Sequence, residues 1–224
     1  MAQARLLARP AAEPSPVAGD RSAGIRELPV ASGRPTLLRV PAALDPHAPA
    51  PVAVLLHGAG SDAHAGLSLL AGIADRAGLI LIAPASRAPT WDVIAGGYGP
   101  DVEVIDAALR DVFARYPVDA ERVALGGFSD GASYALSLGI SNGDLFTHLI
   151  AFSPGFSKPA RPEGQPLIFM THGTGDRVLP IDRCSRRLVP GLRGTGYEVT
   201  YEEFDGGHIV PPDLARRAVT WLLG

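Results

Sequence analysis

The chain has 224 residues, 46% of them hydrophobic and 19% charged, and a net charge of −3. That length and apolar content suit one compact core, expected over residues 25–224 behind a flexible segment at 1–24. The weakly acidic balance excludes an electrostatic nucleic-acid binder. Apolar runs such as 79–83 are far too short to cross a membrane, and a single cysteine, Cys184, excludes an internal disulfide.

Residues 1–24 are rich in Ala, Arg and Pro. Pro10, Pro14 and Pro16 interrupt any helix and no period emerges. No apolar h-region of a secretory signal is visible, so the cytoplasm is the expected location. Short strands are expected at 24–29 and 36–40, and a proline-rich loop at 41–51. From there strands and helices alternate. A strand at 52–56 is apolar throughout, as expected when helices cover both sheet faces. A helix over 65–76 and a buried strand at 79–83 follow. A long loop, 84–100, carries Trp91 and Tyr98. The spacing of Val104, Ile105, Ala108, Val112 and Phe113 predicts a helix over 101–116. Asp101 and Glu103 sit at its start, where the helix dipole favours acids. Then come a strand at 122–128, a helix at 130–138, strands at 149–152 and 167–170, and a helix at 181–193. A strand at 199–204 and a helix at 211–223, opened by Pro211 and Pro212, close the chain. Alternation of this kind implies parallel strands with right-handed crossovers in a three-layer α/β sandwich. No insertion is long enough for a separate cap domain.

The most informative stretch is Gly127-Phe128-Ser129-Asp130-Gly131, between a predicted strand and a predicted helix. A G-x-S-x-G sequence in that setting is a nucleophile elbow, which lifts a serine hydroxyl above the sheet edge. The hydroxyl needs a base, and the base needs an orienting acid. In such folds the order along the chain is Ser, acid, His. Of the six histidines, only His148, His172 and His208 follow Ser129. His148 begins a strand. His172 ends one, precedes any plausible acid and reads as a packing residue. Asp176 lies just past a strand end, where ligands gather in open α/β sheets; its rivals are Asp182, expected to start a helix, and Asp205, too near His208 to orient it easily. His208, in Asp205-Gly206-Gly207-His208, is then the remaining base. Two amides must bind the developing oxyanion. The candidates are those of Asp130, which follows the nucleophile, and of Ala59, in Leu56-His57-Gly58-Ala59-Gly60.

Other polar groups read more plainly. His57 is expected to bond backbone. His57, Asp62 and His64 match no zinc spacing, and Gly58-Ala59-Gly60 lacks the Gly-Lys-Ser/Thr of a phosphate cradle. Cys184 reads as an incidental thiol. Trp91, Tyr98 and Phe156 are either structural anchors or walls of a substrate pocket.

In Leu56-His57-Gly58-Ala59-Gly60, Gly127–Gly131, the run from Gly173 to Pro180 and Gly207-His208, the chain resembles α/β-hydrolases of the phospholipase/carboxylesterase and dienelactone-hydrolase group. These motifs span most of 52–212. The resemblance implies an α/β-hydrolase sandwich with a mostly parallel sheet and a Ser-His-Asp esterase without metal or organic cofactor. Dienelactone hydrolases proper use Cys as nucleophile, so Ser129 points to ordinary esters. Members of the group often carry an uncharged residue where Asp130 stands, and an acid there is expected to disfavour anionic substrates. The expected reaction is hydrolysis of small or short-chain carboxylic esters through an acyl-enzyme on Ser129, by a monomer or homodimer with a small-molecule ester as partner. Thioesterase, lysophospholipase and polyester-oligomer hydrolase activities use the same triad and stay open. From another class, so does a small-molecule binding protein on a retired hydrolase scaffold.

Overall fold

Central strands buried on both faces build the molecule. Residues 4–11, 22–31, 33–45 and 47–224 are described by the structure, a computed structural model. Their strands are β1 (Gly24–Glu27), β2 (Thr36–Val40), β3 (Ala50–Leu56), β4 (Ile80–Pro84), β5 (Val118–Phe128), β6 (His148–Phe152), β7 (Leu167–Gly173) and β8 (Val199–Phe204). They form one sheet in the order β1-β2-β4-β3-β5-β6-β7-β8. β1 and β2 run antiparallel to their neighbours. All pairings from β4 to β8 are parallel.

Successive strand residues point to opposite faces, and the core divides accordingly. Val52, Val54 and Leu56 join one apolar cluster, with Ile80, Val123, Leu149 and Ile168. Ala53 and Leu55 join the other, with Leu81, Ala124, Ile150 and Phe169. The first face is covered by α4 (Pro100–Arg115), α5 (Asp130–Ile140) and α6 (Ser185–Gly194). The second is covered by α1 (Ala63–Ser68), α2 (Ala71–Ala77) and α7 (Pro212–Leu223). This is the expected three-layer α/β sandwich.

The elements depart from the sequence pattern in three places. The helix expected over 65–76 is two helices, α1 and α2, parted where Leu70 takes φ −127°. Leu67, Leu70 and Ala74 still share one buried face, so the pattern reads as continuous across the break. The loop at 84–100 contains a one-turn helix, α3 (Asp92–Ala95), and is tied by carboxylates. Asp92 Oδ2 accepts the Gly99 and Asp101 amides, and Asp101 accepts those of Arg87 and Asp92. The helix expected from 181 opens with a 3-10 turn, Ile181–Arg183, before α6.

The flexible segment expected at 1–24 also needs correction where it is described. Residues 4–11 are docked: Ala4, Leu6 and Ala8 are buried in the first-face core. Asp106 Oδ1 accepts the Leu7 and Ala8 amides at 2.6 and 2.7 Å. Asn142 bonds Leu6 N and Ala4 O, and Arg5 and Arg9 both reach Asp144. Alternate apolar side chains with satisfied backbone dock such a strap without secondary structure of its own. Residues 1–3 and 12–21 lie outside the described part.

One further tie sets how open the site is. Ser133, Ser137 and Ser141 follow Ser129 at successive turns of α5, and each hydroxyl donates to the carbonyl four residues back. The same hydroxyls accept the amides of Gly155, Lys158 and Ala160. The segment between β6 and β7 is thereby laid along α5, running away from Ser129, and it holds no helix.

Candidate active site

β5 ends in the middle of the sheet, and the chain must turn within one residue to start α5. Ser129 makes that turn with φ 57° and ψ −119°, a strained conformation for a residue with a side chain, costing about 1–3 kcal/mol. The flanking glycines let it happen. A Cβ on Gly127 would stand 2.5 Å from the Gly131 backbone. A Cβ on Gly131 would stand 2.5 Å from His57 O and closer still to Leu56 O. Among described non-glycine residues only Ser129 and Ser153 have positive φ. They follow the register pair Phe128 and Phe152 on adjacent strands, and the Ser129 amide donates to Phe152 O.

Three loops at the C-terminal ends of β5, β7 and β8 bring Ser129, Asp176 and His208 into one hydrogen-bonded line. His208 Nε2 lies 2.8 Å from Ser129 Oγ, and His208 Nδ1 lies 2.6 Å from Asp176 Oδ2. The two later loops are held together by backbone: Gly175 N donates to Gly206 O and Thr174 N to Phe204 O. A Cβ on Gly173 would strike the Gly206 and Gly207 carbonyls. Asp176 Oδ1 accepts the Val178 and Leu179 amides, both at 2.8 Å. Burial pushes the Asp176 carboxyl up, but the His208 bond and the two amides outweigh it and hold it below the ordinary carboxylate range. With Nδ1–H donated to a carboxylate, His208 presents a bare Nε2 to the serine hydroxyl. The rivals are accounted for: Asp182 is exposed and paired with Arg186, and Asp205 is exposed.

The loop after β3 lies beside Ser129. A Cβ on Gly58 would sit 3.5 Å from Ser129 Cβ and from the Phe128 ring. His57 stiffens this loop as expected. It is buried, its Nδ1–H donates to Gly58 O at 2.7 Å, and its Nε2 accepts Ser86 N at 3.0 Å. Burial pushes its imidazole below the usual range. Asp62 caps α1 through Ala65 N. Ser61 spends its amide within the turn, on Gly58 O, and Gly60 donates to Pro89 O of the loop after β4, whereas among the described residues the Ala59 and Asp130 amides take no part in the loop and turn bonds. The Asp130 side chain turns aside to accept Thr90 Oγ1 at 2.6 Å.

The aromatic candidates separate. Trp91 does not line a pocket. It is 1% exposed, stacks 5.3 Å from Tyr134, and donates Nε1–H to His57 O. An indole with an apolar body and a satisfied N–H is an anchor for the 57–60 loop. Tyr98 is an anchor as well: its hydroxyl donates to Lys158 O, beside the amide that Ser137 holds, two turns of α5 from the nucleophile. Phe156 is half-buried against the same core, next to Gly155.

Sequence reasoning missed Phe128, whose ring packs 4.6 Å from the His208 ring. It also missed the contact between His172 and Asp176, 3.3 Å from Nε2 to Oδ2. The Phe128 contact was open to inference, since the residue before an elbow serine sits over the loop that must deliver the base. Val178 and Ile209, close in sequence to Asp176 and His208, are 66% and 54% exposed.

A mostly parallel sheet in this strand order, with the serine after β5 and the acid and histidine after β7 and β8, defines an α/β-hydrolase fold. The solved structure of esterase PE8 shares it, with a TM-score of 0.66 over 90% of this chain and 98% of that one, at 23% identity. The profile of the phospholipase/carboxylesterase family matches residues 102–214, half of the chain, and the protein belongs to that family. A candidate esterase of Nocardia uniformis subsp. tsuyamanensis, NocK, is 28% identical over 200 residues, 77% of this chain and 57% of NocK. Acyl-protein thioesterase 1 of Gibberella zeae is 28% identical over 103 residues, 42% of this chain and 43% of that protein. The chain thus spans about half the length of the curated relatives it matches.

Proposed function

We propose that the protein is a serine hydrolase of carboxylic esters. The observation that carries this reading is the line from Ser129 Oγ through His208 to Asp176, with spacings of 2.8 and 2.6 Å. His208 Nε2 takes the hydroxyl proton as Ser129 Oγ attacks the ester carbonyl. Asp176 keeps the proton on Nδ1 and offsets the charge of the imidazolium that forms. The oxyanion is bound by the amides of Ala59 and Asp130, each contributing about 3 kcal/mol in such sites. The imidazolium returns its proton to the leaving alcohol, and water then repeats the sequence on the acyl-enzyme. Small or short-chain esters are the proposed substrates, because the segment after β6 is bonded along α5 and builds no roof over Ser129. Phe156, with Val178 and Ile209, is the proposed wall for the acyl or alcohol group.

The test pairs Ser129→Ala with a fluorophosphonate probe. The parent is expected to label and to hydrolyse p-nitrophenyl acetate. S129A is expected to do neither, with a rate at least roughly a thousandfold lower. A folded parent that never labels would make the protein a binder on a hydrolase scaffold, and S129A at the parental rate would sink the mechanism. The likeness to acyl-protein thioesterase 1 favours thioester cleavage as a second reading. Oxygen and sulfur esters of the same acyl group, compared by kcat/KM over a chain-length series, decide between them.

A further inference from the structure

We propose that His172 is a positioning residue for the Asp176–His208 pair, giving the site a second imidazole that fixes the acid rather than the nucleophile. The proposal rests on the serine-hydrolase reading above. His172 lies at the end of β7 and is fully buried. Its Nε2 is 2.8 Å from Leu179 O and 3.3 Å from Asp176 Oδ2. Both partners are acceptors, so the proton is on Nε2; it is donated to Leu179 O, and Asp176 Oδ2 stands 3.3 Å away beside that bond. Its Nδ1, left bare, accepts from Ser185 Oγ at 2.7 Å. A chain of hydrogen bonds, joined by one 3.3 Å polar contact between His172 and Asp176, therefore runs from Ser185 at the start of α6 through His172, Asp176 and His208 to Ser129.

The consequence lies in counting acceptor sites. An ionised carboxylate offers about four lone-pair directions. Asp176 Oδ1 accepts two amides, from Val178 and Leu179. Oδ2 accepts His208 at 2.6 Å and has His172 Nε2 3.3 Å away. With three hydrogen bonds and the His172 contact on its two oxygens, the carboxylate is held from both sides against rotation about its Cβ–Cγ bond. The direction in which Oδ2 receives the His208 proton is then set, and with it the angle of Nε2 toward Ser129. Leu179 closes the arrangement, since its amide holds Oδ1 while its carbonyl holds His172. A histidine with a packing role alone would need no N–H within 3.3 Å of the acid.

Three variants test this against p-nitrophenyl acetate and the fluorophosphonate probe. H172F keeps bulk and removes the donor; H172Q keeps an N–H near the Nε2 position; S185A releases Nδ1. H172F is expected to lower kcat and the labelling rate roughly ten- to hundredfold at nearly unchanged KM, the scale of a small misplacement of a catalytic group. H172Q is expected to recover at least tenfold of a hundredfold loss even if both variants melt lower. The downfield proton resonance of His208 Nδ1–H is expected to move in H172F and S185A and to stay near its parental position in H172Q. Parental kcat and resonance in H172F would overturn the proposal, and so would equal losses in H172F and H172Q that track Tm alone. If H172F does not fold, an unmoved resonance in S185A overturns it. A parent that never labels fails the serine-hydrolase reading as well. A parent that labels, with variants at the parental rate, fails only the role of His172.

Discussion

Asp106 on α4 and Asp176 after β7 use the same device. Each is 6% exposed, and each gives one oxygen to two consecutive backbone amides, Leu7 and Ala8 for the first and Val178 and Leu179 for the second. They differ in what the other oxygen meets. Asp106 Oδ2 meets Arg110, one turn along the same helix and mostly solvated. Asp176 Oδ2 meets His208 and, more distantly, His172. A guanidinium is charged throughout, so Asp106 serves to fasten the N-terminal strap. An imidazole can change charge within a reaction cycle, so in the proposed mechanism an equally well-held carboxylate serves a proton path.

The widest separation is expected between two substitutions. Asp176→Asn keeps the shape but lets His208 take the wrong tautomer, and should lower kcat on the order of a thousand- to ten-thousandfold. Its Tm should move little. Asp106→Ala should do the reverse. It leaves the Leu7 and Ala8 amides short of a partner and should lower unfolding free energy by about 2–4 kcal/mol, while kcat/KM of the folded fraction stays near parental. Urea melts and initial rates on both proteins check this, and loss of activity in D106A beyond its unfolded fraction would break the comparison.

Acid should separate the regions more gently. Burial pushes His57 and His172, on the site side, below their usual range. The unfolded chain therefore binds protons that the folded chain refuses once pH falls through about 6.5. Stability is fully present above that pH and declines below it toward the folded values. On the strap side, Arg5 and Arg9 hold the Asp144 carboxyl down to about 2. Its contribution is present above the ordinary aspartate range and is lost only as pH falls toward 2. Tm is expected to decline by a few degrees between pH 7.5 and 5, while Arg5–Asp144 pairing, followed by carboxyl chemical shifts, persists. A level Tm over that interval would remove the distinction.

Much of the site was legible because its motifs are local. The Gly127–Gly131 elbow is five consecutive residues whose close backbone approach only glycine meets at both ends. The Ser–acid–His order then left one histidine and one preferred aspartate, and the structure brings those three together. Trp91 and Tyr98 were ambiguous for a physical reason. An aromatic residue on a loop leaving a strand end can turn inward or outward, and only the acceptors at His57 O and Lys158 O decide which. The strap at 4–11 was misread because alternate apolar residues without helical period bind through backbone, and their partners, Asp106 and Asn142, are far away in sequence.

Local sequence thus carried the element order, the parallel sheet and the identities of Ser129, Asp176 and His208, because periodicity and turn chemistry act over a few residues. Tertiary packing alone decided that His172 turns its Nε2 toward the acid and that Phe128 lies against His208. It also decided that the segment after β6 runs along α5 instead of over the serine. Each of those outcomes depends on which donor meets which acceptor across the sheet, and no spacing within a single element encodes that choice.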